Sequence, residues 1–173
     1  FRTHLEANGN SPHTISSYLR DLGMLADHMG RETAVEGVTS DALAAFLTSE
    51  AVAKLPDGTP KAPGSVDKVK TSVKAFFRWA HDGGMVQANP AAAIRLKHRR
   101  RPAPDVLTVQ EKKRLLKLID QTRGAKAERD AVLIDLILNT GLRVSEAVGI
   151  DHPDMNVPEK QVTIKAKGGE THK

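Results

Sequence analysis

The sequence contains no cysteine and only six aromatic side chains among its 173 residues. The lack of cysteine excludes a disulfide scaffold, a thiolate metal site and any enzyme with a cysteine nucleophile. No run approaches the roughly 18 uninterrupted apolar residues that a membrane-spanning helix needs. The segment that follows Phe1 also lacks the basic-then-apolar pattern of a secretory leader. From these absences we expect a soluble, cytoplasmic protein that does not contact a membrane.

Positive charge is concentrated in the second part of the chain. Residues 1–95 hold ten basic and ten acidic side chains, whereas residues 96–173 hold sixteen and eleven, so the whole net charge of +5 lies there. A basic excess of this kind fits nucleic acid, and the absence of aromatic residues after Trp79 favours a duplex over a single strand. A solvated linker is the alternative for the densest basic segment. The candidate phosphate contacts in that segment are Arg95, Lys97, Arg99, Arg100 and Arg101.

Helical periodicity dominates residues 1–96. Ser11 followed by Pro12 is typical of a helix start, because serine caps the first turn and proline fits its first position. The spacing of apolar residues predicts a small helical domain, with a loop rich in proline and glycine over residues 55–64. Four helices are predicted. The first covers about residues 12–29, and Thr39 or Ser40 caps a second, shorter one in which Leu43, Phe46 and Leu47 share a face. The other two cover about residues 65–81 and 90–96.

A break in periodicity divides the chain. Residues 97–106 contain two prolines and no apolar pattern, which predicts a basic linker between domains. Thr108 and Glu111 then have the spacing of a capping box, which predicts a helix to about residue 120. We therefore expect a DNA-binding domain over residues 1–96 and a second domain over residues 107–173.

The second domain is predicted to mix helices with a hairpin. Residues 127–139 are apolar on nearly all sides, so we expect this helix to be buried centrally, and a short helix is predicted over residues 144–148. The alternation over residues 161–165, followed by Gly168-Gly169, predicts an antiparallel hairpin. The chain ends at Lys173, barely into the returning strand. An unfinished hairpin leaves backbone groups unpaired, so we expect the sequence to be part of a longer protein.

Three basic side chains lie four residues apart on the helix predicted over residues 65–81. These are Lys70, Lys74 and Arg78. Like charges stacked in this way repel each other weakly, and an anion along the same face would relieve the repulsion. The pattern therefore fits a helix that lies along a DNA backbone, although a solvated helix face would have the same pattern.

Arg143 follows a glycine break and precedes the short helix predicted over residues 144–148. Glu146 lies three residues further on, close enough to hold the guanidinium group. A forked, permanently charged donor at a helix start can bind a phosphate in a fixed orientation. On spacing alone, an arginine and a glutamate three residues apart more often form an ordinary surface pair.

Lys165 and Lys167 lie just before the predicted hairpin turn at Gly168-Gly169. A lysine beside a tight glycine turn can reach a cleft and act as a point charge or proton donor to a phosphate oxygen. The alternative is a lysine that protects the edge of a sheet from aggregation. The edge-protecting use is the more frequent one, so the spacing by itself is weak support for a phosphate-binding lysine.

In order and spacing, these features resemble the tyrosine recombinase (phage integrase) family over essentially the entire chain. Residues 11–22 look like the first-helix signature of its SAM-like core-binding domain, and Asn89-Pro90 follows an aromatic helix as the family pattern expects. Residues 140–146 look like the segment that bears the first catalytic arginine, and Lys167 matches the catalytic lysine. The resemblance implies a mainly α fold, with a SAM-like four-helix core-binding domain followed by a partial α+β catalytic domain that has a small antiparallel hairpin.

The resemblance also implies site-specific cleavage and rejoining of duplex DNA without a metal or nucleotide cofactor. In the family a tyrosine hydroxyl attacks the scissile phosphate, forming a 3′-phosphotyrosyl link and releasing a 5′-hydroxyl. By that likeness Arg143 would bind the non-bridging oxygens and Lys167 would protonate the leaving 5′-oxygen. Glu146 would have a supporting role and orient either the arginine or its helix. The partners implied are double-stranded DNA and further recombinase protomers that associate on it.

Several parts of the family's apparatus are expected beyond Lys173: a second arginine, a histidine and the tyrosine nucleophile. Tyr18, the one tyrosine of this sequence, belongs to the first long helix and is expected to pack there. We therefore expect this chain to bind DNA weakly and to cleave nothing. Glu170 stands where the family often has a basic residue, which argues against close phosphate contact at that turn. The alternative is a non-catalytic DNA-binding or architectural protein of the same fold.

Overall fold

The computed structural model describes residues 1–96, 103–121, 124–165 and 171–172. The chain forms two compact units, residues 1–101 (unit 1) and 102–173 (unit 2). Within the described ranges, no helix is long and apolar enough to cross a lipid bilayer.

Unit 1 is helical, as predicted. The side chains expected to start its helices do so: Ser11 Oγ accepts the Thr14 N–H at 3.2 Å, and Thr39 Oγ1 accepts the Ala42 N–H at 3.1 Å. The helices predicted over residues 12–29, 40–47 and 65–81 are confirmed to within two residues. In its described part, unit 1 contains α1 Arg2–Ala7, α2 Pro12–Met29, a 3₁₀ turn Val35–Gly37, α3 Ser40–Thr48, α4 Glu50–Ala53 and α5 Pro63–Asp82.

Helices α2, α3, α4 and α5 pack around one apolar core. Phe46 and Phe77 are its largest side chains, and they are 0% and 1% exposed. Burial of such side chains is the main favourable term in folding. One polar contact crosses the same interior: the Ser72 hydroxyl of α5 donates to Asp21 Oδ2 of α2 at 2.8 Å. The other core members are Leu25, Leu43, Val52, Val69, Val73 and Ala91.

Two short segments of unit 1 differ from the prediction. The prediction of a helix over residues 90–96 is wrong, because this segment forms turns. Asn89 Oδ1 accepts the Ala91 N–H at 2.9 Å, and the Ile94 N–H donates to the carbonyl of Ala91, three residues earlier, instead of four. Asparagine favours such turns because its side chain replaces a backbone acceptor. Helix α4 was not predicted, since four residues are too few to show a period.

Unit 2 begins with the predicted capping box. Glu111 Oε2 accepts the Thr108 N–H at 2.8 Å, and Thr108 Oγ1 accepts the Glu111 N–H at 3.3 Å. These two bonds satisfy backbone donors that the first turn of α6 would otherwise leave unpaired. The described elements of this unit are α6 Val109–Gln121, α7 Ala125–Thr140, α8 Val144–Val148, a 3₁₀ turn His152–Asp154, β1 Met155–Asn156, β2 Gln161–Val162, β3 Ile164–Lys165 and β4 Thr171–His172.

The strands of unit 2 form two short antiparallel pairs. Strand β1 pairs with β2, and β3 pairs with β4 through Ile164↔His172 and Lys165↔Thr171, which confirms the predicted hairpin. The single strand predicted over residues 161–165 is divided at Thr163, whose N–H donates to the Asp154 carbonyl at 2.8 Å. The predicted turn glycines lie outside the described residues.

Helix α7 is not buried centrally, which corrects the prediction from its composition. None of its described residues is buried, and Val132 is 71% exposed. Its described neighbours are α6 and α8, which cover only part of its surface. An apolar sequence shows that a helix can be buried on all sides, whereas actual burial depends on which elements surround it.

Candidate functional site

Arg143 lies at the junction between α7 and α8. Gly141 ends α7 with a φ of 72°, and its N–H donates to the Ile137 carbonyl at 2.9 Å. A side chain would be strained at this left-handed conformation, so glycine permits the sharp exit from the helix. The Arg143 carbonyl then accepts the Ala147 N–H at 2.9 Å in the first turn of α8. Arg143 is therefore placed at the start of α8, as predicted.

Glu146 holds Arg143 at two points. Its Oε2 accepts the Arg143 backbone N–H at 2.9 Å, and its Oε1 accepts from the guanidinium Nη1 at 2.7 Å. The Glu146 side chain is 10% exposed, whereas that of Arg143 is 72% exposed. A carboxylate that is mostly buried thus orients a cation that faces the solvent. This arrangement suits the binding of a phosphate group.

Helix α8 packs against β3. Ala147 on α8 and Ile164 on β3 are the buried residues in the described part of unit 2. A second tie joins the same region, because Lys165 Nζ of β3 lies 3.3 Å from Asp154 Oδ1. Asp154 also accepts the Asp151 N–H at 3.0 Å through Oδ2. The start of the hairpin is therefore attached to the segment that follows α8.

The pKa of Asp154 lies below its ordinary value, chiefly because its carboxylate accepts the Asp151 backbone N–H and also because of the nearby Lys165 ammonium. The sequence analysis did not select Asp154. Its spacing of three from Asp151 is typical of a capped helical turn and was the available signal. Lys167 follows Lys165 by two positions but lies outside the described residues, as does Glu170.

The three predicted phosphate contacts on α5 differ in exposure. Lys70 is 22% exposed and its Nζ lies 3.2 Å from Asp67 Oδ1. Lys74 is half-buried and donates to the Ile94 carbonyl at 2.6 Å. Arg78 is 79% exposed, although Asp82 lies 3.7 Å away. Arg78 therefore presents the most accessible charge of the three.

The basic residues at the junction are only partly described. Arg95 is exposed, so its charge is accessible to solvent. It follows the turn whose Ile94 carbonyl is held by Lys74. The other four predicted phosphate contacts, which lie outside the described residues, are Lys97, Arg99, Arg100 and Arg101.

Tyr18 and the histidine and acidic side chains are further groups that could carry chemistry. Tyr18 is half-buried and stacks on Phe1, with ring centroids 6.4 Å apart, and Trp79 lies 5.3 Å from the same Phe1 ring. Tyr18 thus packs in the helical unit, as the sequence indicated. Among the described residues, no three histidine or acidic side chains are arranged to hold a metal ion.

Two family models match most of the chain. The model of the phage integrase N-terminal SAM-like domain matches residues 1–84, and that of the phage integrase family matches residues 105–173. Tyrosine recombinase XerC of Chromobacterium violaceum is 31% identical over 169 residues, covering 98% of this chain and 54% of that protein. XerC of Mycobacterium bovis is 30% identical over 166 residues, with coverages of 92% and 53%. The chain spans about half the length of the curated relatives it matches.

Solved structures share the fold. A lambda integrase dimer bound to a COC′ core site matches with a TM-score of 0.74 at 17% identity, over 99% of this chain and 57% of that one. The XerH site-specific recombinase in a post-cleavage complex matches with a TM-score of 0.64 at 20% identity, with coverages of 99% and 52%. The family models and the relatives agree with this architecture, and the chain belongs to the phage integrase family of tyrosine recombinases.

Proposed function

We propose that this chain forms the DNA-binding unit and the first part of the catalytic unit of a site-specific DNA recombinase. The observation that carries the proposal is the placement of Arg143, an exposed guanidinium that a mostly buried carboxylate orients at a helix start. Glu146 uses both of its oxygens for this purpose. The named relatives, which are tyrosine recombinases, support the same reaction class.

In the proposed reaction Arg143 binds the non-bridging oxygens of the scissile phosphate. A tyrosine oxygen forms a bond to phosphorus while the bond from phosphorus to the 5′-oxygen breaks, and the tyrosine hydroxyl proton passes to a base or solvent. Lys167 then gives a proton to the leaving 5′-oxygen. Because negative charge grows on the phosphate oxygens in the transition state, an oriented guanidinium stabilises that state more than the ground state.

DNA binding is proposed to involve unit 1 and the basic junction. Arg78 is the most exposed of the three α5 candidates, so we expect it to contribute more than Lys70 or Lys74, which are less accessible. Arg95 and the basic residues that follow it would add phosphate contacts at the end of the unit. These contacts are electrostatic and independent of sequence, so binding should weaken as salt rises.

A binding experiment tests this interface. We expect Arg78→Ala to weaken binding of the chain to a duplex and to reduce the salt slope by about one unit, as the loss of one phosphate contact does. Arg31→Ala is the matched control, because Arg31 is 75% exposed and likewise paired with an aspartate one helical turn away. Fluorescence anisotropy at several salt concentrations measures both quantities. Equal losses in the two variants would show a general charge effect and refute the assignment of Arg78.

A cleavage experiment tests the catalytic proposal. The full-length protein is expected to form a covalent adduct with nicked duplex DNA, and Arg143→Ala is expected to slow that step by about 10²–10³-fold, as the loss of an oriented donor does. Arg129→Ala is the control, because it removes an exposed arginine of the same unit. Binding without an adduct would instead indicate a non-catalytic DNA-binding or architectural protein.

The 173-residue chain by itself is expected to bind DNA without cleaving it. Its one tyrosine, Tyr18, packs against Phe1 in unit 1. A covalent adduct formed by the isolated chain would contradict this expectation. Gel electrophoresis of denatured complexes distinguishes the two outcomes.

A further inference from the structure

Lys112 of α6 reaches the last turn of α7. Its ammonium donates to Asn139 Oδ1 at 3.0 Å and, over a longer distance of 3.4 Å, to the Leu138 carbonyl. The Asn139 side-chain amide in turn donates to Asp135 Oδ1 at 2.9 Å. Lys112 is half-buried, so its ammonium sits at the surface of the contact between the two helices. A lysine from a neighbouring helix therefore holds the end of α7.

The Lys112 contact supplies a donor to a carbonyl group at the end of α7. The last carbonyls of an α-helix have no partner within the helix and carry the negative end of its dipole. The Gly141 N–H takes the Ile137 carbonyl, and Lys112 supplies a cation beside the next one. The position of the last turn of α7 thus depends on a side chain from α6.

Hydrogen bonds connect this turn to Arg143. The Thr140 hydroxyl donates to the Leu136 carbonyl at 2.6 Å and accepts the Leu142 N–H at 3.4 Å. The residue directly before Arg143 is thereby bonded back to the end of α7. A displacement of that end would move the backbone of Arg143 and, through it, the guanidinium.

We propose that Lys112 is a positioning residue for Arg143, which acts by fixing the end of α7 and not by touching the substrate. The proposal rests on the phosphate-binding role proposed for Arg143. Small displacements of an oriented catalytic group are costly, since an error of about 1 Å can slow a reaction by up to about 10²-fold. Loss of Lys112 should therefore slow cleavage while leaving DNA affinity unchanged.

The test uses the full-length protein at saturating concentration on nicked duplex DNA. We expect Lys112→Met to slow adduct formation by about tenfold, by the same positioning argument. Lys112→Arg should restore most of the rate, because its guanidinium can reach the same acceptors. Lys113→Met is the matched control, because Lys113 is the exposed neighbour of Lys112 on α6.

A second substrate distinguishes a role of Lys112 in positioning Arg143 from a merely structural role. In a methylphosphonate linkage a methyl group replaces one charged non-bridging oxygen, so less negative charge remains for Arg143 to stabilise. On this substrate we expect Lys112→Met to slow adduct formation by less than about twofold, and we expect the same of Arg143→Ala. Equal slowing on both substrates, or no slowing on either, would overturn the proposal.

The two proposals can fail separately. If Arg143→Ala cleaves the natural phosphate at the normal rate, the catalytic role proposed for Arg143 is wrong. If Arg143→Ala is slow while Lys112→Met matches the unchanged protein, only the positioning role of Lys112 is wrong. Thermal unfolding of Lys112→Met, followed by circular dichroism, measures the fraction of this variant that is folded under the conditions of the kinetic assay. The rates of adduct formation are then compared per folded molecule.

Discussion

The two units of the chain hold their shapes by different means. Unit 1 closes a core around Phe46 and Phe77, which are almost fully buried. In the described part of unit 2 only Ala147 and Ile164 are buried, so no described residue of α7 is fully covered. The described part of unit 2 also has an exposed polar contact, between Lys165 and Asp154. Mutations should therefore act mainly on stability in unit 1 and mainly on the geometry of the proposed active site in unit 2.

The largest expected effect comes from the core of unit 1. Phe77→Ala should lower the free energy of unfolding by about 3–5 kcal/mol, because it leaves a cavity at a fully buried site. Val132→Ala on the open α7 should change it by less than about 0.5 kcal/mol, as is usual for surface positions. Urea denaturation followed by circular dichroism measures both. A large loss for Val132→Ala would show that α7 is more tightly packed than this comparison states.

A polar contact in each unit sharpens the same comparison. Ser72→Ala removes the donor to the buried Asp21 carboxylate and should cost about 1–3 kcal/mol. Lys165→Met breaks a contact whose lysine is largely exposed, and we expect a much smaller change in stability. Denaturant midpoints of the two variants give the ranking. The reverse order would contradict the view that burial decides the strength of these contacts.

We expect helix caps to contribute similarly to the stability of both units, because a cap is a local interaction. Ser11→Ala removes the acceptor for the Thr14 N–H in unit 1 and should cost about 1 kcal/mol. Thr108→Ala removes the corresponding acceptor at the start of α6, and we expect a comparable loss. Amide hydrogen exchange in the first turn of each helix reports the change. A loss confined to one unit would show that the caps depend on the core behind them.

The smallest expected effect is an acid sensitivity of unit 2. Hydrogen bonds from Thr108 lower the pKa of Glu111, and the Asp151 N–H with Lys165 lowers that of Asp154. A carboxylate with a lowered pKa stabilises the fold above its unfolded-state pKa of about 4 and loses this contribution as pH falls through the folded-state pKa. Stability should therefore decline below about pH 4. Glu111→Gln should flatten that decline, and an unchanged acid profile would contradict the assignment.

Local signals predicted much of the fold. Ser11, Thr39 and Thr108 start helices because each side chain lies a fixed number of residues from the amide it caps. The spacing of Arg143 and Glu146 within one helical turn likewise made their contact predictable. These interactions depend on chain geometry over three residues, so the sequence contains the information needed.

The parts of the structure that the sequence did not predict depend on contacts between residues that are far apart in sequence. Lys112 and Asn139 are 27 residues apart, and Lys165 and Asp154 are 11 apart, so no local pattern pairs them. The exposure of α7 was unpredictable for a related reason: composition shows what a helix could bury, while burial depends on the neighbouring elements. The positioning contacts around Arg143 therefore became visible only with the tertiary structure.

The central claim is a division of labour, in which unit 1 supplies affinity for DNA and unit 2 supplies the phosphate-binding arginine. The most direct test measures both Kd and the rate of adduct formation at saturating protein for Arg78→Ala and Arg143→Ala of the full-length protein. The account predicts crossed effects: Arg78→Ala raises Kd and leaves the rate within about twofold. Arg143→Ala slows the rate by about 10²–10³-fold with little change in Kd. Parallel losses of affinity and rate in both variants would contradict it.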